Sequence, residues 1–279
     1  MKENLPYTSV TWDSVYSSGR SEFLNEIPTD NLVRFIHYLR GNQRCNEASF
    51  LDYGCGIASN SIYASNYFNK VVCVDSSSEA LKIAHARIQA EIKRRSFEAH
   101  TINNTPSAQY SLYKSTYDPN LSTLELNLVY SLPPPPISPT KTYPHRTIKN
   151  LAELGIYDGP FDAINFEGTA YYMSEAELLL VLERLVKSLK PNGQMRIYTK
   201  SPDDDLIVNS VKINPNTYTI QVGYERGMKQ FVPNAAWWHQ KFRQLDINGN
   251  LSVETGYDKY NYVGKKANSF LVFTLTNRI

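Results

Sequence analysis

At 279 residues, with 42% hydrophobic and 20% charged side chains, the chain can bury a full core as one large domain and reads as a soluble globular protein. A formal charge of +2, from 29 basic and 27 acidic side chains, gives no strong pull toward nucleic acid or an anionic membrane surface. No apolar run is long enough to span a bilayer, no basic-then-apolar leader opens the chain, and Cys45, Cys55 and Cys73 lack metal-ligand spacing, so a cytoplasmic protein with reduced thiols is expected.

In chain order, residues 30–40 (DNLVRFIHYLR) put Leu32, Phe35, Ile36 and Leu39 on one helical face, with Asp30 as the expected N-cap. ASFLDYG reads as a short buried strand ending on a glycine. Ala58 to Phe68 is helical in pattern, and KVVCVD is a second apolar strand closing on Asp75. SSSEALKIAHARIQAEIKRR follows as a long helix opened by serines and Glu79. From about Phe97 to Thr142 the alternation stalls, leaving two candidate strands (AQYSLYK and LELNLVYSL) and the run Pro133 to Pro136, which favours stiff polyproline II. A hairpin or lid on a rigid connector is expected for this insertion, with an irregular surface excursion as its alternative.

YPHRTIKN and FDAINFEG read as the third and fourth strands. SEAELLLVLERLVKSLK is an amphipathic helix whose Ser174 and Glu177 match a capping box, and QMRIYTK is the next strand. A helix around Ala235 to Arg243 precedes two alternating runs, LSVETGYDKYNYV and SFLVFTLTN, that suit a terminal hairpin. Strands alternating with helical crossovers imply an α/β chain with a parallel sheet covered on both faces. Ligands in such sheets sit beyond the carboxyl ends of the strands. The loops at Asp52 to Ser59, at Asp75, at Asn150 and at Glu167 and Gly168 would converge there.

Gly54 and Gly56 let a ligand approach the backbone with no Cβ in the way. A nicotinamide dinucleotide site would use such a loop for its pyrophosphate, with an acidic residue about 20 positions on, where Asp75 stands. The third glycine of that pattern is replaced by Ser59. Asp52 beside the loop would repel a pyrophosphate but suits a cationic ligand. S-adenosylmethionine, with its ammonium, sulfonium and ribose diol and no phosphate, matches this chemistry better.

With those residues in view, LDYGCGIASNSIYAS resembles the first motif of the class I S-adenosylmethionine-dependent methyltransferases. VVCVDSSSEALKIAHAR is similar to their second strand and helix, GPFDAINFEG to their fourth strand, and LVKSLKPNGQMRIYT to the helix, turn and fifth strand. The opening WDSVYSSGR is similar to a segment that closes over the cofactor in some small-molecule members. The resemblance implies a Rossmann-like three-layer sandwich with a mostly parallel seven-stranded sheet and a C-terminal antiparallel hairpin strand, plus the inserted hairpin or lid. It implies a single methyltransferase domain over 1–279: an N-terminal arm and helix (1–45), a core (46–96 and 143–279) and the 97–142 insertion. It implies S-adenosylmethionine as cofactor, with Asp52, Gly54 and Gly56 at the methionine moiety and Asp75, followed by Ser76, at the ribose. Asn150 would face the adenine amine, and Glu167 and Gly168 the methyl group. Trp12, Tyr16 and Arg20 would cover the site, Arg20 pairing with the cofactor carboxylate; packing of the arm is the other account of Trp12 and Tyr16.

Methyl transfer is an in-line displacement in which positioning does much of the work, and a hydroxyl acceptor profits from a general base. Glu167 is the leading candidate for that base, or it bonds only to cofactor or a loop amide. His239 and His145 are the others, with a packed structural role as their alternative. The loop NFEGTAYY lacks the N-P-P-Y type found in enzymes that methylate amide or base nitrogens of polymers. A small polar or glycosyl-type acceptor is therefore expected, with no nucleic-acid or membrane partner and no metal, since the aspartates of SPDDD suit a turn. A nicotinamide-dependent oxidoreductase and a non-catalytic binding subunit remain the rivals.

Overall fold

Leu32, Phe35, Ile36 and Leu39 are buried along one face of a helix, as their spacing predicts. The computed structural model describes residues 9–18, 26–42, 48–102, 109–118, 123–131, 147–148, 160–223, 225–246, 248–260 and 268–278. They gather in two compact units, Ser9–Asn165 and the residues from Phe166 onward.

The first unit begins with α1 (Ser9–Ser17) and α2 (Asp30–Asn42). The cap of α2 is Thr29, not Asp30: the Leu32 amide donates to Thr29 Oγ1 at 3.2 Å, and Asp30 supplies its charge in the first turn. There follow β1 (Ser49–Tyr53), α3 (Ser59–Ala64), β2 (Lys70–Asp75) and α4 (Ser78–Ile102). Next come β3 (Gln109–Asp118), β4 (Thr123–Ser131), β5 (Thr147–Ile148) and β6 (Phe161–Glu167), whose last two residues enter the second unit. The sheet runs β6-β1-β2-β3-β4-β5. Leu51 pairs in parallel with Val72 on one side and Ile164 on the other, and all of β1 is buried, as a parallel strand covered on both faces requires. Phe50, Val71, Cys73 and Ala163 of the sheet pack with the apolar face of α2 and with Leu81, Ala84 and Ile88 of α4.

Three features of this unit's sheet and long helix differ from expectation. The strand beside β2 is β3, from the insertion, with Val72 paired to Ser111 in parallel, and β4 returns antiparallel to it. In YPHRTIKN, expected as the third parallel strand, the described residues Thr147–Ile148 form β5, an outer antiparallel strand in which Thr147 pairs with Asn127. Ten residues rich in tyrosine, serine and threonine offer β3 a long ladder. The helix α4 also runs to Ile102, past the expected end near Arg95, because SFEAHTI holds no breaker.

The second unit opens with a single 3₁₀ turn at Ala170–Tyr172, then α5 (Glu175–Lys187) and β7 (Leu189–Lys200). The capping box of α5 forms as its sequence predicts, between Ser174 and Glu177. A short α6 (Asp205–Val208) leads to a small antiparallel sheet of β8 (Val211–Asn214), β9 (Thr217–Thr219) and β10 (Lys229–Phe231), with β9 in the centre. The unit ends with α7 (Ala235–Leu245) and the expected hairpin, β11 (Leu251–Tyr260) and β12 (Asn268–Asn277), which pairs antiparallel to β7. Trp238 and Phe242 of α7 pack on Phe273 of β12 at 5.4 and 5.2 Å between ring centres. No helix among the described residues is long and apolar enough to cross a membrane.

Candidate functional site

Between β1 and α3 the chain turns through three positions of positive φ: Gly54 (79°), Gly56 (52°) and Ala58 (64°). Glycine adopts this region freely; Ala58 does so against its own Cβ and is held there by complete burial. The loop turns its amides inward. Gly54 and Cys55 both donate to the Val74 carbonyl (2.7 and 3.0 Å), Gly56 donates to the Asp75 carboxylate (2.7 Å), and Ala58 to the Cys55 carbonyl (2.9 Å). These donors are therefore engaged within the chain and are not presented to a phosphate. The helix that follows, α3, has only six residues and so a weak macrodipole.

Two carboxylates lie under this loop. Asp75, at the end of β2, accepts from Gly56 on one oxygen and from the Ser77 amide (2.8 Å) on the other. Burial pushes its carboxyl up to about 6 despite those two bonds, and the charges of Asp52 and Asp13 add to the rise. Asp52 is 1% exposed and faces inward, accepting from Ser61 Oγ (2.6 Å) on α3 and Asn165 Nδ2 (3.0 Å) on β6. Burial raises its carboxyl too, against the hydrogen bonds from Ser61 and Asn165. Its bonds hold β1, α3 and β6 in place.

The helix α1 lies over the loop. A Cβ on Gly56 would stand 2.8 Å from the Tyr16 hydroxyl, so a side chain there would have to push that phenol aside as well as adopt a strained φ of 52°. Burial, then the neighbouring charge of Asp75, hold the Tyr16 phenol protonated. The Trp12 ring stands 6.0 Å from that of Tyr16. Between them, Asp13 accepts from Ser77 Oγ (2.6 Å) and from the Glu79 amide (3.2 Å) at the start of α4. Arg87 of α4 ties the loop from another side, donating to the Ile57 carbonyl (2.8 Å), Ser59 Oγ (2.7 Å) and the Glu26 carbonyl (3.0 Å).

Of the residues singled out from sequence, Trp12, Tyr16, Asp52, Gly54, Gly56, Asp75 and the half-buried Ser76 belong to the first unit, where Tyr16, Asp75 and the glycine loop meet. Arg20, His145 and Asn150 lie outside the described residues. With β3 beside β2, the strand that neighbours the second parallel strand ends at Asp118, not at Asn150. Glu167, Gly168 and His239 belong to the second unit. Gly168 has φ 68° and donates its amide to the Tyr198 carbonyl (3.0 Å). Glu167 lies close enough to Tyr198 for its charge to help raise that phenol, which burial raises most. The His239 ring meets Thr255 Oγ1 at 3.0 Å and packs edge-on to Phe273 at 5.9 Å. In SPDDD, Asp204 caps α6 through the Leu206 amide (3.0 Å) and accepts from the Ser269 amide (2.9 Å), a turn-forming role.

Sequence reasoning passed over Asp13, Arg87 and a buried network in the second unit. There Lys200 donates to Glu225 (2.6 Å) and Gln230 (3.2 Å), Tyr172 bonds Glu225, and the Lys200 ammonium lies 4.6 Å from the centre of the Tyr171 ring. The one signal was Asp13 within WDSVYSSGR; an arginine in mid-helix, such as Arg87, or a lysine closing a strand, such as Lys200, carries none.

No family model matches the sequence, and no curated protein does. Solved structures do. A methyltransferase from Anabaena variabilis, described as S-adenosylmethionine-dependent, is 14% identical with a TM-score of 0.55, over 97% of this chain and 95% of its own. The 1,6-didemethyltoxoflavin-N1-methyltransferase of Burkholderia thailandensis, with 1,6-didemethyltoxoflavin and S-adenosylhomocysteine bound, is 13% identical with a TM-score of 0.54, over 97% of this chain and 87% of its own. The small RNA methyltransferase HEN1 is 14% identical with a TM-score of 0.51 over 88% of this chain, which spans only 25% of that protein. At such identities the likeness concerns architecture: this chain has the fold of the class I S-adenosylmethionine-dependent methyltransferases.

Proposed function

We propose that the protein is an enzyme that moves the methyl group of S-adenosylmethionine to an oxygen or nitrogen of a small polar or glycosyl-type molecule. The observation that carries this reading is the glycine loop with its amides turned inward above the buried Asp52 and the half-buried Asp75. A diphosphate brought to this loop would meet negative charge and few open donors; a sulfonium and an ammonium would be attracted. The free, buried Cys55 and Cys73 suit a reducing compartment such as the cytoplasm.

When bound, the cofactor would supply an electrophilic methyl on sulfur. Asp75 would accept from the ribose hydroxyls, stronger acceptor bonds than a neutral group would give. Trp12 and Tyr16 would exclude water from the loop, and Gly54 and Gly56 would admit the methionine moiety. Glu167, at the end of β6, would take the proton of a hydroxyl acceptor, with His239 and His145 as the other candidates. Glu167→Gln is then expected to slow turnover while leaving cofactor affinity near normal.

Calorimetry with the full chain tests the reading. S-adenosylhomocysteine should bind at roughly micromolar Kd, on the order of 8 kcal/mol, with no heat from NAD(H) or NADP(H). Binding of the dinucleotides instead overturns the proposal in favour of an oxidoreductase. Silence with every one of these ligands overturns it in favour of a binding subunit that merely keeps the fold.

A further inference from the structure

Asp13 joins α1 to the start of α4, and so fixes the helix that covers the glycine loop. Its Oδ1 accepts from the Ser77 hydroxyl and the Glu79 amide, and Ser77 Oγ in turn accepts from the Ala80 amide at 3.1 Å. The first amides of a helix have no intrahelical acceptor, so this carboxylate completes the cap of α4 from outside that helix and meets its positive end. Three positions along α1, on the same face, stands Tyr16. Its hydroxyl occupies the space directly above Gly56, within reach of the Asp75 charge. A ligand that contacts both Gly56 and Asp75 has to displace that phenol.

We infer that Asp13 is a positioning residue: it latches α1 across the glycine loop, and an adenosyl ligand enters or leaves only when Asp13 releases Ser77 and Glu79. This rests on the cofactor reading above. A latch lies on the path in both directions, so loosening it speeds association and dissociation together and leaves affinity almost unchanged. A residue that only contacts the ligand alters dissociation, and one that only stabilises the fold alters neither rate in this paired way.

The test uses the full chain, S-adenosylhomocysteine as probe, and stopped-flow tryptophan fluorescence, since Trp12 rides on the same helix. Asp13→Ala should raise both rate constants about tenfold, the effect of losing one cap, with Kd held within about threefold. Asp13→Asn, which keeps an acceptor oxygen, should fall between, and Ser77→Ala should reproduce the effect from the other side of the contact if Asp13→Ala does not fold. Unchanged rates, or slower association, overturn the latch. Hydrogen exchange without ligand gives an independent reading: the amides of residues 9–18 should exchange about tenfold faster in Asp13→Ala while those of β1 and β2 do not change. Equal exchange in variant and wild type overturns the latch whatever binds. Faster exchange in a protein that never binds the probe upholds the latch and overturns the cofactor reading.

Discussion

Asp75 accepts two backbone hydrogen bonds that favour its ionised form, and burial still wins, leaving its carboxyl at about 6 against an ordinary 3.8. Between those two values the folded chain holds a proton that the unfolded chain has lost, so stability falls as pH rises through this window. Two units correspond to about 3 kcal/mol at neutral pH. Asp75→Asn cannot ionise. Relative to that variant, the wild type should lose about 2–3 kcal/mol of unfolding free energy between pH 4 and pH 7, measured by urea denaturation. A constant gap across that range would remove Asp75 as the titrating group. The same ionisation governs binding: affinity for S-adenosylhomocysteine should drop about tenfold per pH unit below 6, as calorimetry from pH 5 to pH 8 would read. Gly54, Gly56, Asp52 and Asp75 were legible because a close-approach loop and an acidic strand end are local patterns. The partners of Asp52 were not: Ser61 lies nine residues on and Asn165 lies 113 residues on, and nothing in either neighbourhood marks a carboxylate ligand.

At the scale of elements, the Lys200–Glu225 pair joins the end of β7 to the turn between β9 and β10, with Gln230 of β10 closing the ring of bonds. Burial lowers the Lys200 ammonium, and the charge of Glu225 opposes the fall. Removing one member leaves a buried charge without its counter-ion. Lys200→Met should therefore destabilise the protein by about 3–5 kcal/mol, and Lys200→Met with Glu225→Met should recover most of that loss. Urea midpoints of the three proteins decide it; a single variant costing under about 1 kcal/mol would mean that the pair does not hold the small sheet. Element type was readable where period and cap agreed, as in α2 and α5. Strand order was not readable, because β3 and the segment around β5 carry similar β-forming residues and nothing local marks which of them pairs with β2.

For the whole molecule, a net charge of +2 leaves little electrostatic attraction for a polyanion. With radiolabelled S-adenosylmethionine and a cell extract, label should pass to the small-molecule fraction, and binding to small RNA should be no tighter than about 10⁻⁴–10⁻⁶ M at physiological salt. Label in RNA would reverse the acceptor class. What the amino-acid order determined by itself was the helices α2 to α5 and α7, the strands β1, β2, β6, β7, β11 and β12, the left-handed positions at Gly54 and Gly56, and the acidic ends of β1 and β2, since each depends on neighbours within a few residues; α1, α6 and the small sheet β8–β10 it did not announce. Tertiary structure alone decided that Asp52 faces inward, that Tyr16 covers Gly56, and that Asp13 caps a helix more than sixty residues away. Such contacts are made by ordinary polar side chains that many donors could satisfy, and burial selects among them only once the chain has closed around them.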